Sequence, residues 1–302
     1  MKIRTLAAGL LVSALALTAC GKQGSPSDNG QAGAAPPPAY PVAKNVDLPG
    51  SATFAKIKSQ GGAVTIGVKD DQPGLGLKDP TTGKFGGFDI EIAKMVAAGL
   101  GIDESKITYK TVDSTAREAS IANGNVDYYV GTYTITDKRK TQVSFAGPYF
   151  QAGQDLLVRK DDNSITGPET LKGKKVCSVT GSTPIQRVRD QHLTEPGGQI
   201  VEFQKYSQCV DKLGTKEVDA VTTDDAILKG FAAQDPDTFK VVGKQFSQEP
   251  YGIGLNKDDA ALRGKIDDLL QAAIDDGTWQ KIYNATLGKS GSAAQPPAIQ
   301  RY

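Results

Sequence analysis

The chain has 302 residues, with 35 Lys and Arg against 34 Asp and Glu, one histidine and three cysteines. So even a charge balance excludes a dedicated nucleic-acid or anionic-membrane surface, and one histidine gives a cysteine–metal centre no partners. The length allows one large or two modest domains.

At the N-terminus, "MKIRTLAAGLLVSALALTAC" carries Lys2 and Arg4, an apolar stretch from Leu6 to Leu17, and small residues before Cys20. Residues 1–19 read as a secretory signal, too short for a permanent membrane span. The end of this segment, "LTAC", resembles the lipobox of bacterial lipoproteins, so Cys20 is expected to carry lipid. The alternative is an ordinary signal peptide with Cys20 as a stray thiol. Cys177 and Cys209 then remain as an even pair in an oxidising compartment, where a disulfide is the simplest outcome. Residues 20–52, rich in Gly, Ser, Ala and Pro, read as a flexible tether, and 288–302 as a flexible tail.

Between them, short runs rich in Val, Ile and Tyr predict strands: "AVTIGV", "ITYKTV", "VDYYVG", "DLLVR", "KKVCSV", "QIVEF", "VDAVTT", "FKVVG" and "YGIGL". Phe88, Ile92, Met95, Val96 and Gly99 follow a helical spacing, and Leu262, Ile266, Leu269, Leu270, Ala273 and Ile274 make the clearest amphipathic stripe. This alternation predicts α/β architecture with open, mostly parallel sheets. Such sheets bind ligands at the carboxyl ends of their strands.

Three strand ends carry chemistry. After "DYYVG" comes "TYTITDKR", in which Thr136 is a natural cap for a short helix. The helix N–H groups, the hydroxyls and the planar fork of Arg139 together suit a carboxylate. A capped surface helix with a solvated arginine is the plainer alternative. "KKVCSVTGSTPIQRV" repeats the design, with Ser182 in the turn, Thr183 as cap and Pro184 at the first helical position. "EVDAVTTDDAILKGF" brings Asp224 to a helix start, where it is either a cap or a partner for an ammonium group. A carboxylate clamp opposite an ammonium acceptor describes an α-amino acid. "GPETLKGKK" misses the phosphate-loop spacing, and neither "GLGLKD" nor "GIGLNK" completes a dinucleotide fingerprint.

From about Val64 to Leu287 the chain resembles the type II periplasmic substrate-binding proteins for polar amino acids, in particular the actinobacterial glutamate/glutamine-binding lipoproteins of ABC importers. The supporting motifs are "GFDIEIAK", "GTYTITDKRK", "FAGPYF", "VCSVTGSTP", "VDAVTTDDAIL" and "PYGIGL", in that order. The resemblance implies that Arg139 and Thr134 hold the ligand α-carboxylate together with the Thr183 N–H. Asp224 takes the ammonium, helped by the Gly131 or Thr132 carbonyl. It also implies that Arg117 and Lys69 receive an acidic side chain. Asp70 and Asp71 follow Lys69 and are placed to neutralise it.

The resemblance further implies a two-lobed fold with two hinge crossovers. The first lobe would span 53–150 and 250–287 and the second 151–249; Gly153 and Gly252 are read as hinge glycines, the alternative being that they simply mark bulges in strands. The expected protein is a monomeric, lipid-anchored receptor on the extracytoplasmic face of the cell membrane. It would pass an amino acid, foremost glutamate, to an ABC permease, without catalysis, cofactor, metal or nucleic acid. The alternatives are an amino-acid sensor for a membrane signalling partner and a dehydratase-like enzyme of the same fold; no HExxH, GxSxG or SxxK pattern supports the latter.

Overall fold

The structure is a computed structural model and describes residues 36–195, 197, 199–290 and 293–302. The signal peptide and Cys20 lie outside the described residues. In chain order, α1 (Ala52–Ser59) leads to β1 (Val64–Val68). The short strands β2 (Asp71–Gln72), β3 (Gly76–Lys78) and β4 (Phe85–Gly86) form a small antiparallel sheet before α2 (Phe88–Gly99). Then follow β5 (Ile107–Thr111), α3 (Arg117–Ala122), β6 (Tyr128–Tyr129), α4 (Asp137–Lys140) and β7 (Ser144–Ala152). The middle of the chain supplies β8 (Gln154–Arg159), β9 (Val176–Val179), α5 (Thr183–Asp190), β10 (Ile200–Phe203), α6 (Tyr206–Gly214), β11 (Ala220–Asp224), α7 (Asp225–Gln234) and β12 (Phe239–Val241). The chain returns through β13 (Glu249–Leu255) to α8 (Ala260–Asp275) and α9 (Thr278–Ala285).

Two five-stranded sheets result, β5-β1-β6-β13-β7 and β10-β9-β11-β8-β12, one in each lobe. Each is mixed rather than mostly parallel: β5, β1 and β6 run together, as do β10, β9 and β11, while the remaining pairings are antiparallel. The long strand β7, hidden in "FAGPYF", pairs antiparallel with β13 from Ser144↔Leu255 to Ala152↔Glu249. Its regular pairing is interrupted between Tyr251 and Ile253, so Gly252 sits at a bulge. A Cβ on Gly153 would lie 2.8 Å from the Ser247 carbonyl, so the two connections between the sheets run side by side there.

Strand β1 and helix α2 are buried almost throughout, as expected where helices cover both faces of a sheet. On α8 the stripe of Leu262, Ile266, Leu270 and Ala273 is buried against the first lobe. A disulfide joins Cys177 of β9 to Cys209 of α6.

Where they are described, the two ends differ from the flexible tether and tail expected. Tyr40 donates to Glu91 (2.9 Å) and Ala43 N–H to the Ala98 carbonyl (2.9 Å), fastening the segment before α1 along α2. At the other end Gln300 N–H donates to the Gly147 carbonyl (2.8 Å), and the Tyr302 hydroxyl accepts from Phe145 N–H (2.8 Å). The Tyr302 ring lies under Arg263 (4.3 Å) and Lys140 (4.6 Å), so cation–π contacts and edge-strand hydrogen bonds override the disorder-like composition.

Candidate functional site

The parallel strands end in loops that face one another across the space between the sheets. Lys69 follows β1, Ser114 and Arg117 follow β5, and residues 130–134 follow β6. From the other lobe, 180–183 follow β9, Lys205 and Tyr206 follow β10, and Asp224 ends β11. This is the location that open α/β sheets reserve for ligands.

One end of the cleft is cationic. Thr136 caps α4 by accepting Arg139 N–H (3.2 Å), which turns the Arg139 side chain back toward β6. Its guanidinium donates to the Thr134 carbonyl (2.7 Å) and to the Gly181 carbonyl of the other lobe (3.3 Å), with Glu118 3.4 Å from Nε. Arg117 donates to Ser114 O (3.2 Å) and to the same Gly181 carbonyl (3.3 Å). Both guanidiniums lie near the Tyr133 ring, at 4.4 and 5.0 Å. Burial and the neighbouring Arg117 push Arg139 down to about 10, which leaves it a cation at neutral pH. Gly181 has φ +78°, and a Cβ there would meet Thr115 at 3.0 Å, so this turn and this close approach both require glycine.

The cap of α5 is Ser182, which accepts Ile185 N–H (3.3 Å), one residue earlier than the sequence suggests. Thr183 is thereby freed: its hydroxyl donates to Glu249 (2.7 Å) and lies 3.4 Å from the Thr134 hydroxyl across the cleft.

The second lobe brings an acid to the cleft. Asp224 is buried, and one carboxylate oxygen accepts from Tyr251 (2.7 Å) while the other has no partner among the described residues. Burial, then the charge of Glu249, pushes its carboxyl up to about 8. Nearby, Thr132 has φ +46°, uncommon for a β-branched residue. Asp89 secures it by accepting Thr132 N–H (3.0 Å) and Tyr149 (2.8 Å), and the Thr132 hydroxyl donates to Gln72 (3.1 Å). Burial pushes Asp89 up to about 7.

Arg117, Thr132, Thr134, Arg139, Ser182, Thr183 and Asp224 line a single cavity. Lys69 and Gly131 do not. Gly131 packs on Tyr129, whose hydroxyl would stand 2.7 Å from a Cβ. Lys69 lies behind Ser114, donating to its hydroxyl (2.9 Å) and to Val112 O (3.2 Å), and burial with nearby Arg117 pushes it down to about 7. Asp70 pairs instead with Lys205 (2.8 Å), and Asp71 accepts Ser207 N–H (3.2 Å) at the start of α6, so both reach across to the other lobe.

Sequence reasoning missed Ser114, Pro184, Tyr206 and Ile227 in the lining. Only Ser114 had a local signal, three residues before Arg117. The cavity offers about 10 Å³ to the centre of a water-sized sphere, room for about one water. A larger solute therefore enters only if the lobes part. A wider cavity of about 620 Å³ runs along α7 beside Phe150, Tyr283 and Leu287, away from the paired arginines.

The chain is similar to known proteins. The chain is 41% identical over 246 residues to the glutamate-binding protein GluB of Corynebacterium efficiens, covering 78% of this chain and 82% of that one. It is 38% identical over 283 residues to the ABC transporter glutamine-binding protein GlnH of Bacillus subtilis, covering 93% and 96%. A solved ancestral arginine-binding protein bound to glutamine superposes with a TM-score of 0.69 at 37% identity, covering 75% of this chain and 98% of that one. The family model for bacterial extracellular solute-binding proteins, family 3, matches residues 64–289, and the chain belongs to that family.

Proposed function

We propose that the protein captures an α-amino acid, foremost glutamate, between its lobes and delivers it to an ABC permease. The observation that carries this reading is the polarity of the cleft. Arg139, Thr134 and the Thr183 N–H gather at one end, Asp224 with a free carboxylate oxygen at the other, and Arg117 with Ser114 at a third position. An α-carboxylate at Arg139 gains charge-assisted, bidentate hydrogen bonds. An ammonium at Asp224 gives that carboxylate its counter-charge, with the Thr132 carbonyl beside it.

Arg117 then meets the side chain. Lys69 acts through Ser114: its ammonium donates to the hydroxyl oxygen, which directs the Ser114 proton into the cleft. One direct cation and one hydroxyl suit a carboxylate best, while an amide can still accept from both. Glutamine is therefore the second ligand. Glutamate binders and glutamine binders are both among the proteins to which the chain is similar.

The family is that of bacterial extracellular solute-binding proteins, and we read this chain as a binder rather than an enzyme. Within it, this chain is read as a monomeric lipoprotein held by Cys20, with the lobes 53–150 plus 250–287 and 151–249 hinging about Gly153 and Gly252. Isothermal titration after unfolding and refolding, to strip carried-over ligand, tests the reading with glutamate, aspartate, glutamine, asparagine, arginine and leucine. Tight binding of glutamate ahead of glutamine is expected. Silence across the panel would refute it and return attention to the sensor and enzyme alternatives.

A further inference from the structure

Glu249 is fully buried at the start of β13, where the chain recrosses between the lobes, paired with Ala152 on the other connection. One carboxylate oxygen accepts the Thr183 hydroxyl (2.7 Å). The other accepts Arg187 (2.7 Å) and the Ser247 hydroxyl (2.7 Å). Arg187 lies one turn along α5 from Thr183 and also donates to Gln154 at the start of β8. A single buried carboxylate thus joins both connections to the helix whose first turn faces the cleft.

An ionised carboxylate only accepts, and a threonine hydroxyl has one proton. The Thr183 proton is therefore committed to Glu249, and in the 3.4 Å contact across the cleft Thr134 is the donor. Thr183 offers a ligand carboxylate its N–H, and its hydroxyl oxygen has only a lone pair left for Thr134.

We propose that Glu249 is a positioning residue for ligand binding: through Thr183 it sets the proton direction in the carboxylate end of the cleft and ties that end to the hinge. The proposal rests on the amino-acid reading of the cleft. An amide at 249 keeps its oxygen on Arg187 and turns its N–H₂ toward Thr183, which reverses the Thr183 hydroxyl.

The test is a double-mutant cycle on the full mature protein, read by titration with glutamate. Glu249→Gln should weaken binding about tenfold, or ~1.4 kcal/mol, and should do the same in a Thr183→Ser background, which keeps the hydroxyl. In a Thr183→Val background it should change affinity less than twofold, because nothing remains for Glu249 to orient. Equal losses in the Ser and Val backgrounds would overturn the proposal, since they would mark a general structural role. So would unaltered binding by Glu249→Gln. Should Glu249→Gln fail to fold, Glu249→Asp, one methylene shorter, runs the same cycle. If the wild-type protein binds no amino acid, the cleft reading itself falls and this inference with it.

Discussion

Gly230→Ala tests whether binding requires the lobes to meet as they do here. Helix α7 of the second lobe lies so close to the loop after β2 in the first that a Cβ at 230 would stand 2.2 Å from the Pro73 carbonyl oxygen. The carbonyl carbon would be 3.1 Å away, so backbone rather than a pliable side chain blocks the space. Within α7 alone, alanine is favoured over glycine by roughly 0.8–1.0 kcal/mol. In the closed arrangement the overpacking costs roughly 1–3 kcal/mol. That penalty falls on closure and not on the fold of either lobe, so affinity should drop roughly 5- to 140-fold. Titration with glutamate measures the loss, and small-angle scattering should show a ligand-bound variant less compact than the ligand-bound wild type. Wild-type affinity in Gly230→Ala would refute the reasoning, because the contact would then be unnecessary for the bound state.

Other expectations follow from the same geometry. Asp224 is pushed up to about 8, so in the ligand-free protein it holds a proton at neutral pH that an incoming ammonium must expel. Affinity should therefore rise from about pH 6 to 8 with proton release, seen as a dependence of titration heats on buffer ionisation. Lys69, pushed down to about 7, pulls the other way, and Lys69→Met isolates the Asp224 contribution. Because Asp224 and Asp89 are both raised, the ligand-free fold should conversely lose stability as pH climbs from about 4 through 8, a trend that Asp224→Asn should reduce in thermal melts. Removing the disulfide with Cys177→Ala and Cys209→Ala, 32 residues apart, should cost about 4 kcal/mol in chemical denaturation. Deleting residues 293–302 bares the edge strand β7 and should lower the melting temperature and promote self-association in sedimentation velocity.

The sequence made the strands legible where both faces of a sheet are covered, because "AVTIGV" and "KKVCSV" are nearly unbroken apolar runs. It concealed β7, whose Gly147, Pro148 and aromatic residues resemble a loop, and with it the antiparallel half of the first sheet. Asp224 could be placed in the lining because it ends a strand at a helix start, and Arg139 because it lies on a short helix that Thr136 caps. Lys69 was misplaced into the lining because register along β1 does not reveal that Ser114, more than forty residues on, stands in front of it. Glu249 had no local signal at all: its partners Thr183 and Arg187 are remote in sequence and meet it only once both connections are in place. The tail escaped for the same reason, since Tyr302 is anchored by Phe145, Arg263 and Lys140 rather than by its neighbours.

The closed cleft is imperfectly satisfied in a way that accounts for the proposed preference for glutamate. Arg117 and Arg139 are hydrogen-bonded only to neutral carbonyls, those of Ser114 and Thr134 and the Gly181 carbonyl they share, with Glu118 3.4 Å from Arg139, while Asp224 keeps an oxygen without a partner among the described residues. For the Asp224 oxygen the unmade hydrogen bond costs ~1–3 kcal/mol, and the guanidiniums, though hydrogen-bonded, still lack an anion in the cleft. A zwitterion with an acidic side chain repairs all three defects together, with one carboxylate for Arg139, an ammonium for Asp224 and a second carboxylate for Arg117. A leucine repairs only two and leaves Arg117 facing an apolar group, so it should bind far more weakly despite the same α-amino and α-carboxylate contacts. A chain with almost no net charge can thus select a charged solute. The proposed selection resides in where three side chains are held, Arg117 and Arg139 on the short helices that follow β5 and β6, and Asp224 at the end of β11.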